Sequence, residues 1–437
     1  MFVVIFMGNR TMKQEELQRK IRNMVRSYFS IPAEDFVPGE TPISLNVPTY
    51  SWEEVNEVLD SLLSTYVTMG EKVKKFEELF ANYIGLKNSI MVNSGSSANL
   101  LALSILSNPA LKKCIRRVDE IITPAVTWST TVFPIVNIGA VPVLVDVNLE
   151  TLNAEPVEIR KAITKRTKAI MPVHLLGNPC DMKEIMEIAE DNDLFVIEDS
   201  CEAHGAELEG KKVGSFGHLS TFSFFFSHHI STIEGGMVLT NVDEYAELGR
   251  VLRAHGWIRD MVGRDKVKEK YDQIDDRFLF VNLGYNLRPT DLQGAFGIHQ
   301  IGKLEKFIEI RRKNAEYWNS KLKDYSDYIM LHEEREGTRH VWFGYPITVK
   351  ADAPFTRDEF VRYLKEKRIE TRPIMAGNIN EQPVSSVFKH RKIGNLPNSK
   401  VIMRQSLFWG NHQGIGEKER EYIVDCVSRF IIEKSKT

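Results

Sequence analysis

Three short segments hold residue types that can bind and react. Glu198 and Asp199 end an apolar run in Val196-Ile197-Glu198-Asp199-Ser200-Cys201-Glu202-Ala203-His204-Gly205. A carboxylate at the end of a buried strand is costly unless compensated, so something cationic should face Asp199; an arginine partner or a helix cap would meet the same need. The second segment, Ser220 to Met237, runs from a hydroxyl-rich strand through His228-His229 to the Gly235-Gly236 turn. Imidazole exchanges protons near neutral pH, and although a lone histidine is more often structural, the order hydroxyl strand, histidine, paired glycines favours a site. The third, Asn93-Ser94-Gly95-Ser96-Ser97-Ala98-Asn99-Leu100, opens an apolar helical pattern. Glycine and small hydroxyls at a helix start can present amides to a phosphate, or simply cap the helix.

The surrounding pattern positions these segments. Short apolar runs at Ser89-Val92, Glu120-Thr123, Val141-Asp146, Ala169-Val173, Leu194-Glu198, Leu219-Phe224 and Met237-Thr240 read as strands, with helical patterns between several of them. Strands with little alternation, separated by helices, predict a mostly parallel α/β sheet covered on both faces, which binds ligands beyond its carboxyl ends. A helix is expected from Met12 to about Arg26. Another runs from Ser51 to about Thr65, where Ser51 and Glu54 have capping-box spacing. After about Gln300 the pattern changes to a charged helix from Leu304 to about Tyr325, strands near Val341-Val349, and helices at Thr356-Lys367 and Gly416-Lys434. The expected division is an N-terminal helical extension (1–50), a large ligand-binding α/β domain (51–300) and a smaller α+β domain (301–437). The extension's helices are expected to pack on the small domain.

Composition narrows the function. The 437 residues carry 57 Lys plus Arg against 59 Asp plus Glu, so no global charge draws the chain to nucleic acid or an anionic membrane. The apolar start from Met1 to Met7 is far short of the roughly 20 residues that span a bilayer. A soluble, cytoplasmic chain is expected, with Met12 as an alternative start. Four cysteines and eleven histidines show neither a disulfide framework nor metal-ligand spacing, so no metal is expected.

Together the three segments resemble the sugar-nucleotide aminotransferases, a family of fold type I pyridoxal-phosphate enzymes, from about Val67 to the C-terminus. The resemblance implies that Ser96 and Ser97 bind cofactor phosphate, Trp128 in Pro124-Ala125-Val126-Thr127-Trp128-Ser129 stacks on the pyridine ring, and Asp199 holds the pyridinium nitrogen. It also implies that Ser223 binds the phosphate and that Asn286, in Gly284-Tyr285-Asn286-Leu287-Arg288, reaches the phosphate of a neighbouring subunit in a homodimer. Glu202 stands where the family usually has a glutamine beside the ring hydroxyl, and a carboxylate there would repel a phenolate unless one of the two is protonated.

One departure is decisive. Family transaminases bear the cofactor lysine five residues after the phosphate serine, and here that position is His228, with no lysine between Lys212 and Lys266. Imidazole cannot anchor the cofactor covalently but can act as a base. This is similar to the family's 3-dehydratase branch, which makes the 3,6-dideoxyhexoses of lipopolysaccharide O-antigens. Glu370-Thr371-Arg372-Pro373-Ile374-Met375-Ala376-Gly377-Asn378-Ile379 resembles that branch's substrate segment, making Arg372 and Asn378 substrate-binding candidates; a surface ion pair is the other reading of Arg372. Some members of the branch carry an iron–sulfur cluster on grouped cysteines. The corresponding segment here, Arg253-Ala254-His255-Gly256-Trp257-Ile258-Arg259-Asp260, has none.

The resemblance therefore implies an untethered pyridoxal/pyridoxamine phosphate enzyme without a cluster. It would remove the 3-hydroxyl of a nucleotide-linked 4-keto-6-deoxyhexose, GDP-4-keto-6-deoxymannose in the closest-matching type, with His228 as the base and L-glutamate restoring the amine cofactor. The competing readings are a sugar 4-aminotransferase and a non-catalytic cofactor-binding regulator.

Overall fold

The computed structural model of the chain describes residues 12–32, 34–48, 50–332 and 334–436. The apolar start from Met1 to Met7 lies outside them. Strands Glu120–Pro124, Val141–Val145, Phe195–Asp199, Leu219–Ser223 and Gly236–Thr240 are buried along their whole length, as runs without apolar alternation require. They belong to an eight-stranded sheet in the order Asn88–Val92, Gly236–Thr240, Leu219–Ser223, Phe195–Asp199, Thr167–Ile170, Glu120–Pro124, Val141–Val145, Arg391–Lys392. Pairing is parallel from Leu219–Ser223 to Arg391–Lys392, while Gly236–Thr240 runs antiparallel to both its neighbours.

Each strand expected from the sequence is present, with one shifted. The run expected at Ala169-Val173 is a strand at Thr167–Ile170. Pro172 has no N–H for the ladder, and pairing resumes as a single bridge between Val173 and Asp199. The two-residue strand Arg391–Lys392 was not expected, because so short a segment has no period to read. It crosses from the C-terminal third to extend the large sheet beside Val141–Val145, and Arg391 bonds the buried Glu120 at 2.9 Å.

Beyond residue 300, an antiparallel sheet in the order Ile329–Leu331, Gly344–Val349, Ser406–Gly410, Thr371–Arg372 packs with helices Leu304–Leu322, Arg357–Glu366 and Glu417–Ser435. Trp318, Tyr345, Phe360, Trp409 and Phe430 fill its core.

The N-terminal segment divides in two. Helix Met12–Phe29 buries none of its residues and lies on helix Trp52–Ser64, where Gln18 bonds Asp60 at 2.6 Å and Arg26 covers the Trp52 ring. It therefore does not pack on the small domain as expected. Its polar partners Asp60 and Trp52 are long-range contacts that helical periodicity does not reveal. Residues 43–46 do meet the small domain, through a bridge between Ile43 and Ile369. Among the described residues no helix is long and apolar enough to cross a membrane.

Candidate active site

The carboxyl ends of the central strands open into a cavity of about 530 Å³, and Asp199, His228, Ser223, Trp128, Ser96 and Arg372 all line it. Residues 100 or more positions apart in sequence thus meet at the place a doubly covered parallel sheet reserves for ligands.

Asp199, 4% exposed, ends strand Phe195–Asp199. Its Oδ2 accepts from Asn99 Nδ2 at 2.9 Å and Thr131 Oγ1 at 2.8 Å, and its Oδ1 from the Cys201 N–H at 3.2 Å. Sequence built this arrangement locally. Pro134 inside helix Ser129–Asn137 supplies no N–H to the Thr130 carbonyl one turn earlier, and that carbonyl is taken instead by Asn99 Nδ2 at 3.1 Å. Neutral groups alone contact Asp199 among the described residues, so its charge has no cationic side-chain partner. A protonated pyridine nitrogen would supply one.

One end of the cavity is formed where helix Gly95–Leu106 meets the end of strand Leu219–Ser223. Ser94 caps the helix, accepting from the Ser97 N–H at 3.1 Å. A Cβ at Gly95 would clash with Ser223 Cβ and stand 2.7 Å from Ser223 Oγ, so only glycine lets the helix terminus and the serine close on one point. Amide dipoles, Ser96 and Ser223 together suit a phosphate group. Trp128, 55% exposed, precedes helix Ser129–Asn137 and offers its indole to the cavity.

No lysine lines the cavity among the described residues; His228 occupies the wall instead. Its Nδ1 is enclosed without a hydrogen-bond partner, leaving Nε2 as the nitrogen available to the cavity. Burial, and then the positive charge of Arg311, push the His228 imidazole down to about 3, so it carries no charge at neutral pH and one ring nitrogen keeps its lone pair. Glu202 is raised to about 8 by burial and, secondarily, by the Asp199 charge. Its Oε2 accepts from the Leu176 N–H at 2.7 Å, and the protonated acid has a hydrogen to donate. His204 and His229 lie behind His228, with the ring centroids of His204 5.9 Å from His228 and 5.6 Å from His229.

Three residues singled out from the sequence lie elsewhere. Ser97 Oγ donates to Asn93 Oδ1 at 2.6 Å inside the helix cap. Asn378 is fully buried, its Oδ1 accepting from the Asn380 N–H at 3.0 Å. Asn286 is exposed, with its Oδ1 accepting from Arg288 Nε at 3.2 Å. Arg372 lines the cavity and is also ion-paired to Glu370 at 2.8 Å, so the ion pair is present at a place a ligand could reach.

Sequence reasoning missed Asn99, Thr131, Leu45 and Asn46. Asn99 sits one turn after Ser96 on the same helix, which was a usable signal. Leu45 and Asn46 gave none.

Residues 48–428 match the sequence pattern of the DegT/DnrJ/EryC1/StrS aminotransferase family. GDP-4-keto-6-deoxy-D-mannose 3-dehydratase of Yersinia pseudotuberculosis is 41% identical over 378 residues, covering 85% of this chain and 95% of that protein. dTDP-4-dehydro-2,6-dideoxy-D-glucose 3-dehydratase of Saccharopolyspora spinosa is 38% identical over 415 residues, 92% of this chain and 89% of that protein. A crystal structure of GDP-4-keto-6-deoxymannose-3-dehydratase with a trapped PLP-glutamate geminal diamine is 39% identical with a TM-score of 0.83, over 88% of this chain and 99% of that one. The large, mostly parallel sheet with its smaller α+β partner is the fold type I architecture, and the protein belongs to the DegT/DnrJ/EryC1/StrS aminotransferase family.

Proposed function

We propose that the protein is a pyridoxal/pyridoxamine phosphate-dependent 3-dehydratase acting on a nucleotide-linked 4-keto-6-deoxyhexose, GDP-4-keto-6-deoxymannose, with L-glutamate as co-substrate. The observation that carries this reading is His228, a neutral imidazole on the cavity wall five residues after Ser223, where an aminotransferase needs a lysine.

When bound, the cofactor supplies an amine for the 4-keto carbon and a conjugated ring that accepts the electron pair left by a departing proton. The chain's own residues divide the remaining work. Asp199, held by Asn99 and Thr131, keeps the ring nitrogen protonated. Ser96, Ser223 and the helix start fix the phosphate, and Trp128 restrains one ring face, so the reacting carbon has a set distance from His228. Glu202, as a protonated acid, donates a hydrogen bond to the ring oxygen. His228 Nε2 takes a proton and returns it to the departing 3-hydroxyl, which leaves as water. Arg372 binds the anionic part of the nucleotide sugar as a guanidinium.

Sugar and glutamate enter the same cavity in turn. The balanced outcome is a 3-deoxy-4-keto sugar, 2-oxoglutarate and ammonia, with the oxygen lost by the sugar matched by the one gained on forming the keto acid. Incubation with pyridoxal phosphate, glutamate and GDP-4-keto-6-deoxymannose, followed by mass spectrometry, tests this. A product lighter by one oxygen is expected, and a 4-amino sugar would return the protein to the aminotransferases.

The active unit in this reading is a cytoplasmic homodimer. Asn286 is exposed amid Phe278, Phe280 and Leu283, which are 67%, 52% and 92% exposed, a surface suited to a second copy whose phosphate site Asn286 completes. Sedimentation at micromolar concentration should give a dimer; a monomer would contradict that part.

A further inference from the structure

Residues 43–47 precede the segment matched to the family pattern, yet Leu45 and Asn46 line the same cavity as His228 and Arg372. The strap they form is fixed from outside. The Ile43 N–H donates to Arg368 O at 2.8 Å, the Glu370 N–H donates to Ile43 O at 2.9 Å, and His412 Nε2 lies 3.1 Å from Ser44 O. Ile43 is 3% exposed and anchors in the small-domain core.

Glu370 ties the strap to the substrate arginine. Its Oε2 accepts from the Leu45 N–H at 3.1 Å, while its Oε1 pairs with Arg372 Nη2 at 2.8 Å. One carboxylate therefore sets the placement of both.

Asn46 is held on its other side. Its Nδ2 donates to the carbonyl of Phe226 at 2.7 Å, two residues before His228. One N–H of the amide is so occupied, and the second N–H and the amide oxygen remain to meet a sugar hydroxyl. Phe225, Ser227, His228 and Asn46 all line this cavity, so a hexose presented to His228 shares one enclosure with Asn46.

We propose that Asn46 is a specificity-determining residue that hydrogen-bonds a hydroxyl of the hexose, and that Glu370 couples its position to that of Arg372. The inference rests on the dehydratase reading and adds a role for a segment outside the family pattern.

Titration calorimetry on the pyridoxal-phosphate-loaded protein, which cannot turn over without glutamate, separates the two. The ligands are GDP and GDP-4-keto-6-deoxymannose, and the proteins are wild type, Asn46→Ala and Glu370→Ala. Asn46→Ala should weaken the sugar nucleotide roughly tenfold, as expected for one lost hydrogen bond, and leave GDP within a factor of about two. Glu370→Ala, which frees both Leu45 and Arg372, should weaken both ligands and the sugar nucleotide more. Thermal unfolding and the cofactor's absorbance show whether the variants remain folded and loaded. Equal weakening of both ligands by Asn46→Ala, or no change in either, would overturn the role of Asn46 while leaving the dehydratase intact. Wild-type protein that binds neither ligand would overturn the dehydratase reading itself, and this inference with it.

Discussion

Asn99 Nδ2 donates to Asp199 Oδ2 across 2.9 Å while Asn99 Oδ1 accepts from Thr221 Oγ1 at 2.6 Å. Thr221 thus fixes which way the amide faces, and the donor end points at the buried carboxylate. Asn99→Asp would replace that donor with a second carboxylate of nearly the same shape. A buried charge left facing a like charge costs on the order of 3 kcal/mol, so urea unfolding should show a loss of about that size. Affinity for pyridoxal phosphate should fall as well, because a carboxyl proton shared between the two acids competes with the ring nitrogen.

Gly95 lets helix Gly95–Leu106 approach strand Leu219–Ser223, since any Cβ there would meet Ser223. Gly95→Ala should push the two apart, destabilising the protein by about 1–3 kcal/mol as overpacking does. Equilibrium dialysis should show cofactor affinity falling at least tenfold, with inorganic phosphate competing less well than against wild type.

Glu202 gives a pH signature. Its carboxyl is raised from 4.5 to about 8 in the folded chain, so between those values the folded state holds a proton that the unfolded state has released. Stability contributed by this group must then fall as pH rises through that window. Glu202→Gln carries no such proton. In cofactor-free protein its stability relative to wild type should rise, by on the order of 3 kcal/mol, between about pH 5 and about pH 8.5. Parallel stability–pH curves for the two proteins would contradict protonation of Glu202.

His228→Lys places an amine where the aminotransferases have one. Cofactor should then survive extensive dialysis, which it should not in wild type, and 3-deoxy product formation should fall by about 10² to 10⁴, the range for removing a general base. His228→Asn, which can neither tether nor accept a proton, should lose activity to a similar degree without retaining cofactor.

Much of this site was legible because its parts lie at the ends of strongly patterned elements. Seven apolar runs announced the large sheet, and Ser96, Asp199, Ser223 and His228 lie at or just after the ends of those runs, so a ligand site at the carboxyl ends of the strands gathers them. The contributions that escaped are long-range or too short to have a period. Arg391–Lys392 is two residues added to the sheet from about 250 positions away. Asn46 reaches the cavity through contacts with Phe226 and, by way of its neighbour Leu45, with Glu370. Asn378 shows the opposite failure: a motif position close to the cavity in sequence is turned inward by backbone pairing with Val126.

Ammonia release measured against 2-oxoglutarate formation tests the central claim most directly. A dehydratase with an untethered amine cofactor returns the glutamate nitrogen to solvent, so the two should appear in equal amounts whenever GDP-4-keto-6-deoxymannose is consumed. Formation of 2-oxoglutarate without ammonia would mean that the nitrogen stays on the sugar, and would contradict the assignment of His228 as the base of a 3-dehydratase.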